Sequence, residues 1–86
     1  MAQQFDLSNR FDILTDHLDD AVERILAPFT DRAVTPEAVR THSHADGTLL
    51  VTVIVNRLAE AEARAIQLGL KHEPFIHEAR LEHYIA

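Results

Sequence analysis

The sequence predicts an α+β fold in the order βαββαβ, a four-stranded antiparallel sheet with two helices on one face. Three observations carry that prediction. Asp46-Gly47 divides two strand-like runs in the way a hairpin turn does. The period changes from alternating to helical after Asn56. Near the N-terminus, Asp20 and Glu23 form a capping-type pair between a short alternating run and an amphipathic one.

Taken in order, residues 1–9 carry little pattern beyond Phe5 and Leu7 and are expected to be a disordered lead-in or a short added strand. Residues 11–26 admit two readings. Phe11, Leu14, Leu18, Val22 and Ile25 fall at helical spacing, whereas Phe11, Ile13 and Thr15 alternate like a strand. The acidic pair Asp19-Asp20 suits the positive end of a helix dipole, and Glu23 completes a capping box, which places the helix start near Ala21. Residues 10–15 are then a strand, residues 15–19 its turn, and Val22, Ile25, Leu26 and Phe29 the buried stripe of a helix that Pro28 ends or kinks. Were residues 9–26 one long helix instead, the order would become αββαβ, a KH-like or BolA-like arrangement.

Thr35-Pro36-Glu37 has the chemistry of a first helical turn, yet Val39, Thr41 and Ser43 alternate afterwards and favour a strand. Residues 48–55 are apolar on both faces, with Leu49, Val51, Val53 and Val55 on one side and Leu50, Thr52 and Ile54 on the other. Asn56 is a plausible cap for the helix over residues 58–70, with Gly69 at its fraying end. After Pro74 the alternation returns and describes a last strand with a mixed polar face. This order is the ferredoxin-like plan.

Composition narrows the function classes. At 86 residues, 47% hydrophobic and 26% charged, the chain is one globular domain. A domain this small buries only about 60–65% of its unfolded surface, so a covering partner would help it. No cysteine is present, which excludes disulfides, thiolate zinc sites and cysteine nucleophiles. A net charge of −6 with no basic stripe argues against nucleic acid. The longest apolar stretch is too short to cross a bilayer, and the N-terminus lacks a signal peptide's basic and apolar regions, so no membrane is expected and the cytoplasm is the expected location. With only Gly47 and Gly69 there is no phosphate loop, no nucleophile has a suitable local context, and no cofactor is implied.

The sheet face bearing Leu50, Thr52 and Ile54 is open in a monomer, and its apolar side chains are best buried against a second copy, so a homodimer is expected. His42 and His44 share a strand face at a spacing metal sites use, but His77 and His83 fall on the opposite sheet edge, roughly 14 Å away at about 4.8 Å per strand. No metal site is assigned; a small ferredoxin-like enzyme or a histidine-based metal-binding protein using His42 and His44 is the alternative to a regulatory domain. The carboxylates Asp16, Asp19 and Asp20 are read first as helix capping and solvation rather than as acid–base groups or a divalent-ion loop.

Residues 11–29, FDILTDHLDDAVERILAPF, resemble the opening strand and helix of ACT domains, and among these the small regulatory subunits of acetolactate synthase. In that family an apolar strand ends in Thr and a short acidic turn, and the helix opens with an apolar-Glu-Arg-apolar-Leu pattern, matched here by Val22-Glu23-Arg24-Ile25-Leu26. The resemblance implies a regulatory or assembly domain without catalysis of its own. Its homodimer would bind a larger enzyme subunit such as acetolactate synthase and hold an amino-acid effector at the turn of Thr15, Asp16, His17, Leu18, Asp19 and Asp20. The chain departs from the family where the turn carries Gly beside bound amino acid: Asp20 stands there, and Asp19 replaces the usual Pro, so an effector carboxylate would meet like charge.

Overall fold

A computed structural model describes residues 7–85. Its elements are β1 (Leu7–Asp16), α1 (Ala21–Asp31), β2 (Ala38–Ser43), β3 (Thr48–Asn56), α2 (Glu60–Lys71) and β4 (Ile76–Ile85). The strands form one sheet in the order β2-β3-β1-β4, with every neighbouring pair antiparallel. This is the expected ferredoxin-like plan, and the single long helix over residues 9–26 is overturned. Asn9, Phe11, Ile13 and Thr15 are all buried at alternate positions of β1, which a helical path would spread around its circumference.

Both helices lie on the face to which those residues point. Phe11 and Ile13 of β1 and Leu49, Val51, Val53 and Val55 of β3 meet Ile25 and Phe29 of α1 and Ala63, Ile66 and Leu70 of α2. Phe11 and Phe29 pack edge to face, with ring centroids 5.0 Å apart and planes at 89°. Burial of such a side chain contributes roughly 1.5–3 kcal/mol, so this layer holds the helices to the sheet.

The structure corrects several local expectations. Leu7, Ser8 and Asn9 belong to β1, so the strand reaches three residues before Arg10; residues 1–6 of the expected lead-in lie outside the described residues. Asp20 makes no side-chain cap bond, because its carboxylate is held 2.8 Å from Arg24 Nε instead. Pro28 does not end α1: the helix continues to Asp31, with Phe29 fully buried and the Thr30 hydroxyl bonded to the Leu26 carbonyl. The strand favoured over a helical turn after Thr35-Pro36-Glu37 is present as β2. Asn56 closes β3 rather than capping α2; Arg57 follows in the left-handed region at φ 61°, and α2 begins at Glu60 with Ala59 before it. Gly69 lies inside α2, which runs on to Lys71.

The β2–β3 hairpin is longer than a two-residue primed turn. The His44 amide bonds the Thr48 carbonyl and the Gly47 amide bonds the His44 carbonyl, which defines a three-residue loop of Ala45, Asp46 and Gly47. Only Gly47, at φ 87°, takes the positive backbone angle. Asp46 instead accepts bonds from the Thr48 amide (3.0 Å) and hydroxyl (2.6 Å), fixing the loop from within.

Candidate functional site

The β1–α1 turn is built by the ends of three strands. Thr15 is fully buried, and its hydroxyl donates to the carbonyls of Phe75 and Asp16, both at 3.1 Å. The Asp16 amide bonds Phe75 O, the His17 amide bonds Gly47 O, the Leu18 amide bonds Asp16 O and the Ala21 amide bonds Leu18 O. The turn thus bridges the β2–β3 hairpin and the entry to β4. Its amides at those four positions already serve the chain's own carbonyls.

Side chains around the turn pair in two couples. Asp16 Oδ1 lies 2.6 Å from His77 Nε2, both groups half exposed. The pairing follows from an irregularity in β4: Thr15 stands opposite Ile76 but Leu14 opposite Glu78, so His77 is an extra residue against β1. Asp20 holds Arg24, whose guanidinium lies 5.4 Å from the centre of the Phe75 ring. Leu18 is exposed. Sequence reasoning named residues 15–20 but missed Arg24, Phe75 and His77, because their proximity to the turn is made by the fold and, for His77, by a bulge. The outcome is a turn with three carboxylates and one guanidinium, in which Asp16 and Asp20 are already engaged.

The open sheet face is a second candidate surface. Cross-strand partners share a face, so Leu50, Thr52 and Ile54 stand with Arg40 and His42 of β2, with Arg10, Asp12 and Leu14 of β1, and with Glu78, Arg80, Glu82 and Tyr84 of β4. The expected apolar surface is therefore a small patch within a charged lattice. Leu50, Thr52 and Ile54 are half-buried by their neighbours. Arg10 Nε lies 3.1 Å from an Asp12 oxygen, the Thr52 hydroxyl donates to Asp12 at 2.8 Å, and Arg80 Nε donates to Glu78 at 2.7 Å. The Tyr84 hydroxyl donates to Glu82, and that bond raises the phenol above its ordinary pKa. Arg10 and Arg80 are likewise raised, chiefly by their bonds to Asp12 and Glu78.

His42 lies on the open face of β2, and His44, one residue past the end of the strand, lines a hollow on that same sheet face with Leu14, Leu50 and Arg80. Their rings meet edge to face with centroids 5.2 Å apart. Among the described residues no group of three or more His, Asp or Glu side chains is placed to hold a metal ion. β2 and β4 are opposite sheet edges, which keeps His77 and His83 away from this pair.

A polar network under the start of α2 was not foreseen. Asn9 is fully buried; its amide nitrogen donates to Leu58 O (3.2 Å) and Val55 O (3.4 Å), and its oxygen lies 2.7 Å from His83 Nδ1. With the Asn9 amide group donating, His83 Nδ1 must donate in turn. His83 Nε2 is buried without a hydrogen bond, 3.9 Å from a Glu60 oxygen. The available signal was the alternation 9, 11, 13, 15: a polar residue at an inward strand position implies a buried partner.

No protein-family model and no curated protein matches the sequence. No helix among the described residues is long and apolar enough to cross a membrane. Solved structures do match. The chain is similar to the C-terminal domain of the MgtC protein from Mycobacterium tuberculosis, with a TM-score of 0.75 at 11% identity over 99% of this chain and 95% of that one. It is also similar to the ACT domain of GTP pyrophosphokinase from Chlorobium tepidum. The crystal structure of that domain gives 0.70 at 9% identity over 92% and 99% of the two chains, and its solution structure 0.69 at 9% over 92% and 86%. At such identities the likeness is one of fold alone. The fold of this chain is therefore ACT-like.

Proposed function

We propose that this chain is a non-catalytic regulatory or scaffolding domain of the ACT-like kind, acting in the cytoplasm as a homodimer that binds a larger enzyme subunit. The observation that carries the reading is the ACT-like fold, with a β1–α1 turn gathered from three strand ends and a sheet face left uncovered by helices. The resemblance of residues 11–29 to acetolactate synthase small subunits names the first partner to test, and residues Thr15, Asp16, His17, Leu18, Asp19 and Asp20 form the candidate effector turn.

The chemistry of the turn favours an effector's ammonium group over its carboxylate. Asp16, Asp19 and Asp20 supply negative charge, while the amides of Asp16, His17, Leu18 and Ala21 are bonded within the chain. Capture of the tagged domain from lysate of its source cells, with sedimentation of the isolated domain and titration with the twenty amino acids, tests the reading. A dimer that retains acetolactate synthase or another enzyme supports it. A monomer with no partner but stoichiometric metal overturns it and moves the function to His42 and His44.

A further inference from the structure

Among the described residues, one buried side-chain nitrogen or oxygen lacks a hydrogen bond: Nε2 of His83, on β4. It stands apart from the candidate effector turn, since Asn9, its cross-strand partner, lies roughly 20 Å along β1 from Asp16 at about 3.3 Å per residue. The Asn9 amide nitrogen donates to the carbonyls of Val55 and Leu58, so its oxygen faces His83 Nδ1, which must be the protonated nitrogen of the neutral ring. Nε2 is then a bare lone pair shut away from water. The Glu60 carboxylate, in the first turn of α2, stands 3.9 Å from it. Two acceptors thus face each other across a gap that a proton would bridge.

We infer that His83 and Glu60 form a proton-operated latch: uptake of a proton at Nε2 fastens the first turn of α2 to the end of β4, and its loss releases that turn. Imidazole is the side chain whose charge ordinarily changes between about pH 5 and 8. The proton comes from solvent and adds at Nε2, while Nδ1 keeps its own on the Asn9 oxygen, so neither the ring nor the amide has to flip. Closing from 3.9 Å to the about 2.8 Å of a charge-assisted bond asks the carboxylate to move by about 1 Å. Glu60 is free to do so. Its side chain is 61% exposed, and its other partner, Arg64, holds the same oxygen at only 3.6 Å.

The charges around the ring come from α2 and the loop before it. Glu60 is the nearest, Arg64 lies one turn further along the helix, and Arg57 stands next to Leu58 in the loop. Beside His83 on the same face of β1 and β4 are the neutral groups Asn9, Phe11 and Leu81. Burial of Nε2 and the positive end of α2 oppose a charged ring. A hydrogen bond to an ionised carboxylate, roughly twice as strong as a neutral one, outweighs them, because without it the buried Nε2 has no partner.

The test compares the intact parent chain with Glu60→Gln and His83→Gln at about pH 8 and about pH 5.5. Imidazole nitrogen shifts show where each proton sits. Hydrogen-exchange protection of the Ala63 amide, which bonds the Ala59 carbonyl at the start of α2, reports the latch once the intrinsic pH dependence of exchange is removed. The parent is expected to carry its ring proton on Nδ1 at the higher pH and a proton on each nitrogen at the lower, with Ala63 protection rising about fivefold. Either variant is expected to hold that rise below about twofold. The latch is overturned by a neutral ring protonated on Nε2, by an Nε2 still bare at the lower pH, by a doubly protonated ring with no gain in protection, or by the same gain in Glu60→Gln. Should His83→Gln fail to fold, Glu60→Gln, at an exposed position, decides the matter by itself.

Discussion

The side-chain oxygen of Asn9 lies 2.7 Å from Nδ1 of His83, a contact between residues 74 apart that ties the first strand to the last. Because the Asn9 amide group also reaches the carbonyls of Val55 and Leu58, one fully buried side chain joins β1, β4, the end of β3 and the loop before α2. Asn9→Ala is expected to lower unfolding stability by about 2 kcal/mol, since it strands buried acceptors as well as losing bonds. His83→Ala should lose about 1 kcal/mol, and the double variant less than the sum, because both single changes remove the same bond. Urea midpoints of the four proteins check this; strict additivity would show that the two side chains act separately.

Thr15 anchors the candidate effector turn to Phe75 from a fully buried position. Thr15→Val keeps the shape and removes the donor, and should cost about 1 kcal/mol. Thr15→Ser retains the hydroxyl and should hold the turn's geometry. Amide chemical shifts of Asp16 and Ile76 read the difference: they are expected to move in the Val variant and to stay near parent values in the Ser variant.

Gly47 occupies φ 87° with nothing within 4 Å of where a Cβ would stand. The penalty of Gly47→Ala is therefore one of backbone conformation, about 1 kcal/mol, and Gly47→Asn should lose less because Asn tolerates the left-handed region better. Thermal midpoints of the three proteins rank them. Equal losses for Ala and Asn would mean that the loop rearranges.

Asp46 is acidified by its bonds from the Thr48 hydroxyl and amide, with the nearby His44 a smaller contributor. A carboxyl whose pKa is lower folded than unfolded adds stability above its unfolded value and loses it as the pH falls through its folded one. The hairpin loop should thus be fully braced at neutral pH and loosen only below the ordinary aspartate range. Asp46→Asn should remove that acid-linked component from the pH–stability profile, and a carboxyl-carbon titration by NMR should place the Asp46 midpoint below that of Asp in a reference peptide.

The element order was legible because each strand and helix advertises its period locally. Leu49, Val51, Val53 and Val55 could face only one side of a strand, and the helix start at Ala21 followed from the acidic residues before it, although the capping bond itself is replaced by the Asp20–Arg24 pair. Errors fell at boundaries, where propensity is weak and packing decides. Pro28 stays within α1 because the buried Phe29 holds the next turn, and Asn56 remains in β3 because the strand pairs with β1 as far as Ser8.

The chain of 86 residues, read alone, determined the fold plan, the buried faces and the uncovered face of the sheet, because these depend on periodicities of two and 3.6 residues. Only the tertiary structure decided what surrounds each candidate site. The Asp16–His77 pair depends on a one-residue irregularity in β4, the Asn9–His83 bond on the adjacency of β1 and β4, and the charged lattice around Leu50 and Ile54 on the register of four strands. The alternation of each strand excludes a one-residue slip, which would turn its apolar set to the other face, but a shift of two residues keeps that face, and only packing across the sheet decides among such registers.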